Sequence, residues 1–183
     1  AATWISTYRD GAYRPEQALD YCFQIIQKND EFKAARTLAR IGLYSEALEE
    51  IAPLVSSSDA RTTYEAKLAR AILLRKNGSH SDSARLAAGL LSPVQDLIDH
   101  AYAPWLLAYP KPWPEIVRKA AEPESTLYYT IYAIMREESY YNPRAESWAN
   151  ARGLMQLMLP TAQSSAAEIG LKKPSASDLF RPE

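Results

Sequence analysis

One acidic residue lies within an apolar pattern and could act as a proton donor. Counting about 100° of rotation per residue from Leu127, Ile131 and Ile134 lie within about 40° of that reference, and Glu138 lies at about 20°. Its neighbour Glu137 falls at about 280°, on a different face of the helix. We therefore expect the Glu138 carboxyl group to point inward and Glu137 to lie in water. A carboxyl group partly withdrawn from water keeps its proton more readily, so it can donate that proton near neutral pH.

The residues around Glu138 form a longer motif. A glutamate near the end of an amphipathic helix is by itself more often solvated or ion-paired. Residues 133–162, however, contain several separated elements at defined spacing: Glu138-Ser139, Asn142-Pro143, Ser147, the block from Ala151 to Gln156, Met158, and Thr161-Ala162. Together they closely resemble the signature of the soluble lytic transglycosylases, bacterial peptidoglycan-cleaving enzymes related to goose-type lysozyme.

This resemblance implies a catalytic role for Glu138. It would protonate the glycosidic oxygen between N-acetylmuramic acid and N-acetylglucosamine, then act as base toward the muramoyl C6 hydroxyl, leaving a 1,6-anhydromuramoyl end. Glycosidases ordinarily use two carboxylates, whereas substrate-assisted enzymes use the substrate's own N-acetyl group. The motif places neither Glu137 nor Glu146 as a second acid, which agrees with the substrate-assisted route. Lysozyme-type hydrolysis, with water in place of the C6 hydroxyl, remains open.

The resemblance also assigns residues to a substrate groove. Gln156 carries an amide suited to an acetamido group, and Gly153 permits positive φ or close backbone approach beside a sugar ring. Taken singly, such residues also serve as turn residues, core side chains or surface amides. The predicted substrate-binding residues are Ser139, Tyr140, Ser147, Gly153, Met155, Gln156 and Met158.

Aromatic residues are frequent near the motif. Sugars stack their apolar faces on such rings, so Tyr140, Tyr141 and Trp148 are candidates for the groove. Tyr128 and Tyr132 have helical spacing and are expected to pack in the core.

The chain also departs from the family pattern. Trp148 stands where proline is common, Asn150 where glycine is common, and Leu159-Pro160 replaces a proline followed by a small residue. The family's downstream Ala-Tyr-Asn motif is absent, so the catalytic domain is expected to be incomplete on its C-terminal side. We expect a fragment, a domain completed by a second chain or segment, or a chain that is inactive alone.

The elements that carry the motif are expected to be helices. The 183 residues include only 6 glycines, and apolar residues recur at spacings of three and four, which predicts an all-α fold. A repeat with an offset of 36 residues relates Gly42 to Gly78 and Ser45 to Ser81. Each copy reads as a helix, a glycine stop, a serine N-cap and a second helix, which is typical of tetratricopeptide-like superhelices. A chance match of two Ala- and Leu-rich helices is the alternative. We assign residues 1–110 to this repeat region.

Closely spaced prolines separate this region from the motif. The run from Tyr109 to Pro114 cannot continue a helix. Residues 111–183 are therefore expected to be the N-terminal part of a lysozyme-like α-helical catalytic domain. Its predicted helices run over 114–121, from a cap at Ser125 or Thr126 through Glu138, and over 160–169 with a stop at Gly170.

Composition narrows the classes of partner. A net charge of −1 and a pI near 6.2 argue against a nucleic-acid surface. No apolar run reaches the ~18 residues of a membrane span. Cys22 is the single cysteine, so it cannot form an internal disulfide. His80 and His100 lack neighbours at metal-ligand spacing, so we predict no metal and no cofactor.

The implied substrate determines the rest of the assignment. The predicted partners are the glycan strands of peptidoglycan, together with a second chain or segment if one completes the catalytic domain. The predicted location is the bacterial periplasm or cell envelope, and no signal peptide is recognisable at the start of the chain. The alternative function is a non-catalytic module that binds peptidoglycan or serves as a helical-repeat scaffold.

Overall fold

The computed structural model describes residues 30–91, 102–123 and 125–182, and for residues 102 and 103 the backbone alone. Cys22 and His100 lie outside the described residues. The chain divides into two compact units, residues 1–110 and 111–183. The elements of both units are helical, and the only pairings between extended residues in the described parts are two isolated bridges, Glu146 with Arg152 and Arg152 with Leu157. The all-α prediction is confirmed.

Two helical hairpins make up most of the first unit. Helix α1 (Asp30–Arg40) is followed by α2 (Tyr44–Ile51) and a 3₁₀ turn (Ala52–Ser56), and α3 (Ala60–Lys76) is followed by α4 (His80–Gly89). A further helix, α5 (Tyr102–Ala108), packs against α4 and α3.

The two hairpins repeat at the predicted offset. Gly42 (φ 84°) and Gly78 (φ 82°) both lie in the left-handed region just after the first helix. One residue further on, the Leu43 N–H donates to Leu38 O and the Ser79 N–H donates to Leu74 O, each at 2.9 Å. This is the pattern of hydrogen bonds that ends helices at a left-handed glycine. The predicted serine caps are wrong, because Ser45 and Ser81 lie inside α2 and α4.

Three α-helices lie in the described part of the second unit. Helix α6 (Pro114–Ala120) has proline in its first turn, and α7 (Thr126–Ser139) is capped by the Ser125 Oγ, which accepts a hydrogen bond from the Tyr128 N–H at 3.2 Å. Helix α8 (Leu159–Glu168) is followed by Gly170 at φ 71° and by a 3₁₀ turn (Asp178–Phe180). Each helix begins and ends within a residue or so of its predicted position.

Tyrosines form much of the core of the second unit. Tyr128 and Tyr132 are buried as predicted, and their rings meet edge to face with centroids 5.2 Å apart. The Tyr132 hydroxyl has no hydrogen-bond partner among the described residues. Burial raises the pKa of Tyr132, and the neighbouring Tyr128 hydroxyl adds to the rise. Among the described helices, none is long and apolar enough to cross a membrane.

Candidate active site

Two tyrosines directly after helix α7 turn the chain sharply. Tyr140 (φ 53°) and Tyr141 (φ 61°) are both left-handed, and their N–H groups donate to Arg136 O at 2.9 Å and Met135 O at 3.1 Å. This conformation costs an L-residue roughly 1–2 kcal/mol. Packing holds it, because Tyr141 is buried and the Arg136 guanidinium lies 4.9 Å from the Tyr140 ring centroid. The prediction of Tyr141 as a groove residue is therefore wrong.

Ser139 fastens the end of α7 to the loop that follows. Its buried Oγ lies 2.9 Å from Met135 O and 3.0 Å from Leu154 O. The hydroxyl is therefore within hydrogen-bonding distance of one carbonyl of the helix and one carbonyl of the loop. The side chain does not face an open groove, contrary to the predicted substrate contact. Ser139 instead positions its neighbour Glu138 relative to the loop.

The loop from residue 145 to residue 157 is closed on itself. The Gly153 N–H donates to Ala145 O at 2.9 Å, and Arg152 and Leu157 exchange two backbone hydrogen bonds of 3.0 and 3.1 Å. Gln156 (φ 45°) uses its side-chain Nε2 to donate to Ala145 O at 3.1 Å and to Gly153 O at 3.0 Å. The two amide hydrogens thus hold the loop, and Oε1 is the atom of this amide that remains for a ligand.

Gly153 is required by a backbone contact. It is buried at φ 74°, and a Cβ at this position would overlap the carbonyl oxygen of Leu179, in the 3₁₀ turn. Close approach was predicted here, but for a sugar ring. The protein's own backbone fills that space, so Gly153 shapes the loop and is not placed to touch a glycan on this side.

The tip of the loop is a tight turn. The Ser147 N–H donates to Ala151 O at 2.9 Å, the Asn150 N–H donates to Ser147 O at 3.0 Å, and the Ser147 Oγ accepts from the Ala151 N–H at 3.1 Å. Asn150 is left-handed (φ 62°), which asparagine tolerates better than most residues. Trp148, between them, is 98% exposed.

Glu138 lies on the last turn of α7 and is exposed to solvent. The predicted inward orientation is wrong. The buried side of α7 is formed by Tyr128, Tyr132, Met135 and Ser139, whose directions centre about 90° away from that of Glu138 at 100° per residue. Leu127 (55% exposed) and Ile134 (39% exposed) lie on the Glu138 side. The helix therefore has an aromatic face and an aliphatic face, and the described residues pack against the aromatic face.

The two acids nearest to Glu138 in the sequence are ion-paired, whereas Glu138 has no such partner in the described part of the chain. Glu137 lies 2.8 Å from the Arg136 guanidinium, and Glu146 lies 2.8 Å from the Arg152 guanidinium. Glu138 forms no hydrogen bond or ion pair with the residues that the structure describes. Its carboxyl group is therefore open to a ligand, whereas those of Glu137 and Glu146 each face an arginine.

The remaining predicted groove residues are at least partly accessible. Met158 is 41% exposed and precedes α8, and Met155, Ser147 and Tyr140 are partly buried. Ser147, Met155 and Gln156 lie in the same loop, and Ser139 attaches that loop to the Glu138 turn. Among the described residues, no group of three His, Cys, Asp or Glu side chains is arranged to hold a metal.

Sequence reasoning missed the residues that hold the loop. Glu146 and Arg152 form a salt bridge, and their backbones form an isolated β-bridge, at the base of the turn. The backbone of Leu179 lies against Gly153. Opposite charges six residues apart around a turn were a readable signal for the first pair. No local signal indicates the Leu179 contact, because it joins segments about twenty-five residues apart.

Comparison with known proteins finds similarity in the second unit. Residues 115–183 match the family described as Transglycosylase SLT domain. A stretch of 50 residues is 52% identical to a soluble lytic murein transglycosylase of Haemophilus influenzae, covering 27% of this chain and 8% of that protein. A stretch of 70 residues is 44% identical to membrane-bound lytic murein transglycosylase C of Serratia proteamaculans, covering 37% of this chain and 20% of that protein.

These relatives are much longer than the matched region, since the alignments span a fifth or less of their lengths. No solved structure matches the chain.

Proposed function

We propose that this protein is a peptidoglycan lytic transglycosylase with Glu138 as its catalytic residue, which the match of residues 115–183 to the Transglycosylase SLT domain supports. It would cleave the β-1,4 bond between N-acetylmuramic acid and N-acetylglucosamine in the bacterial cell envelope. The observation that carries the proposal is the placement of Glu138. It is exposed and unpaired among the described residues, and its neighbour Ser139 bonds directly to the motif loop.

The proposed reaction needs one side chain in two protonation states. The Glu138 carboxyl group donates its proton to the glycosidic oxygen as the bond from that oxygen to the muramoyl C1 breaks, with the acetamido group assisting at C1. The muramoyl C6 hydroxyl then attacks C1 and returns its proton to the Glu138 carboxylate. The products are a free N-acetylglucosamine hydroxyl and a 1,6-anhydro ring, and no water is consumed.

The ion pairing of the two acids nearest to Glu138 in the sequence favours this route over the ordinary two-acid mechanism. Retaining and inverting glycosidases place two carboxyl groups on either side of the scissile bond. Here the acids adjacent in the sequence, Glu137 and Glu146, are each engaged by an arginine at 2.8 Å. The acetamido group of the substrate would supply the missing nucleophile.

The loop offers the polar contacts that such a substrate needs. We assign Gln156 Oε1 to an acetamido N–H, because its Nε2 is bound to the loop backbone. Ser147, Met155, Met158 and Tyr140 are proposed to line the groove on the basis of the motif and their partial exposure. We propose positioning roles for Ser139 and Gly153, since both are buried in contact with backbone.

Digestion of purified sacculi tests the proposal. The protein, its Glu138→Gln variant and a Glu137→Gln control are incubated with sacculi, and the masses of the released muropeptides are determined. We expect anhydro ends from the unmodified protein and from the control, and none from Glu138→Gln. The control removes an exposed surface ion pair, which contributes little to stability.

Three results would contradict the proposal. Products heavier by one water would indicate hydrolysis. Glycan binding without release of any muropeptide, by the chain together with any chain that co-purifies with it, would indicate a binding module. Undiminished anhydro products from Glu138→Gln would exclude this residue as the catalytic acid.

A further inference from the structure

The most exposed large apolar side chain of the described residues belongs to Trp148. It is 98% exposed, at the tip of the turn formed by residues 147–151. Tryptophan is highly buried on average, because its large apolar surface is costly to leave in water. Isolated apolar side chains on a surface are common, so exposure alone indicates no function. The backbone that presents this ring gives the second observation.

The turn holds the Trp148 backbone in a defined place. Three hydrogen bonds of 2.9 to 3.1 Å join Ser147, Asn150 and Ala151, and the Glu146–Arg152 salt bridge closes the base. A ring on such a turn binds a ligand at lower entropic cost than a ring on an unrestrained loop.

The turn is also connected to the catalytic end of α7. Ser139, next to Glu138, bonds Leu154 O, and Gly153, next to Leu154, bonds Ala145 O. Trp148 is three residues beyond Ala145, and three residues span at most about 10 Å. Two hydrogen bonds and a short stretch of chain therefore separate the indole from the turn that carries Glu138.

We propose that Trp148 stacks on an N-acetylated sugar ring of the glycan strand, away from the scissile bond. This inference rests on the proposed function. A pyranose presents a face of C–H groups that matches the electron-rich face of an indole, and the indole N–H is available to donate to a hydroxyl or acetamido oxygen. The other tip residues, Ser147, Ala149 and Asn150, are uncharged and small, so an uncharged ligand can reach the ring. A lipid surface would call for basic residues at the tip, and none is present there.

Trp148 thus determines specificity for longer glycans and touches no reacting atom. Its loss should raise the KM for extended strands and leave kcat unchanged. Because tryptophan stands where the family resemblance places proline, this contact would be a property of this chain.

Binding by variants of the whole chain tests the inference. The Kd for glycan strands freed of stem peptides and for an N-acetylglucosamine hexamer is measured by calorimetry, in the Glu138→Gln background so that no substrate is consumed. We expect Trp148→Ala to raise Kd about 10-fold, equivalent to one lost stacking contact. Trp148→Tyr should recover most of the affinity. Trp105→Ala, which removes a half-exposed tryptophan of the first unit, should leave Kd unchanged.

The outcomes separate this inference from the proposed function. Equal affinities of Trp148→Ala and its parent, with anhydro products still formed by the active chain, would refute the stacking role alone. A parent chain that neither binds nor cleaves glycan would refute both. A Trp148-dependent affinity for vesicles of phosphatidylethanolamine and phosphatidylglycerol, with glycan binding unaffected, would refute the stacking role and assign the ring to a lipid surface.

Discussion

Replacing Gly153 with alanine should destabilise the second unit, because the site loop and the 3₁₀ turn at residues 178–180 touch at this glycine. At φ 74° an alanine pays roughly 1–2 kcal/mol for its left-handed conformation. Its Cβ would also overlap the Leu179 carbonyl oxygen and lie 3.0 Å from the carbonyl carbon. Overpacking of this kind typically costs about 1–3 kcal/mol. We expect a total loss of about 2–5 kcal/mol in the free energy of unfolding.

A second glycine of the same unit separates the two contributions. Gly170 has nearly the same backbone conformation, at φ 71°, but a Cβ there would meet nothing within 4 Å. Gly170→Ala should therefore cost roughly 1–2 kcal/mol, the backbone part alone. The two variants should differ by about 1–3 kcal/mol, which is the destabilisation caused by the clash with Leu179.

Urea denaturation followed by far-ultraviolet circular dichroism measures both losses. The slope of the free energy of unfolding against urea concentration should be the same for both variants, so that differences between their urea midpoints can be converted into free energies. If Gly153→Ala and Gly170→Ala lost the same stability, the contact of Leu179 with Gly153 would be absent in solution, and the account of how the loop is held would fail.

Three further variants and one control test the packing of the second unit. Ser139→Ala should lower the free energy of unfolding by about 1–3 kcal/mol, since it leaves a buried carbonyl without its donor. The control Thr130→Ala, on the exposed side of the same helix, should change it by less than about 0.5 kcal/mol in urea denaturation. Tyr132→Phe should raise the free energy of unfolding by about 1 kcal/mol, because it removes a buried hydroxyl without a partner among the described residues, and a loss would contradict this. Hydrogen bonds from Ser175 hold the pKa of Asp178 below 3.8, so its contribution is present above that pH and disappears as pH falls through the folded value. Asp178→Asn should accordingly lower the urea midpoint at pH 7 and converge with the parent chain in acid.

Helix boundaries in the second unit could be read from local signals. Pro114 starts α6, Ser125 caps α7 and Gly170 follows α8, and each of these residues acts through its own backbone or through neighbours within one turn. The repeat in the first unit was readable for the same reason, since Gly42 and Gly78 each end a helix locally. The misplaced serine caps show the limit, because a cap depends on where the helix starts to within one residue.

The orientation of Glu138 could not be read from periodicity. Helix α7 has an aliphatic face with Leu127 and Ile134, and an aromatic face with Tyr128 and Tyr132, and both have helical spacing. The pattern does not tell which face is covered, since that depends on the segments packed against it. The loop contacts were unreadable for a related reason, because they join residues distant in sequence.

The structure divides the work of the proposed site between adjacent residues. A side chain that gives and then takes a proton must keep its carboxylate oxygens available, and a permanent arginine partner such as that of Glu137 would oppose the protonated form. Fixing the position of Glu138 through its own carboxylate would therefore work against its chemistry. The Ser139 hydroxyl holds the helix end to the loop instead, from the buried side of the same turn. The reacting group is thus placed by its neighbour's contacts and stays open toward the substrate.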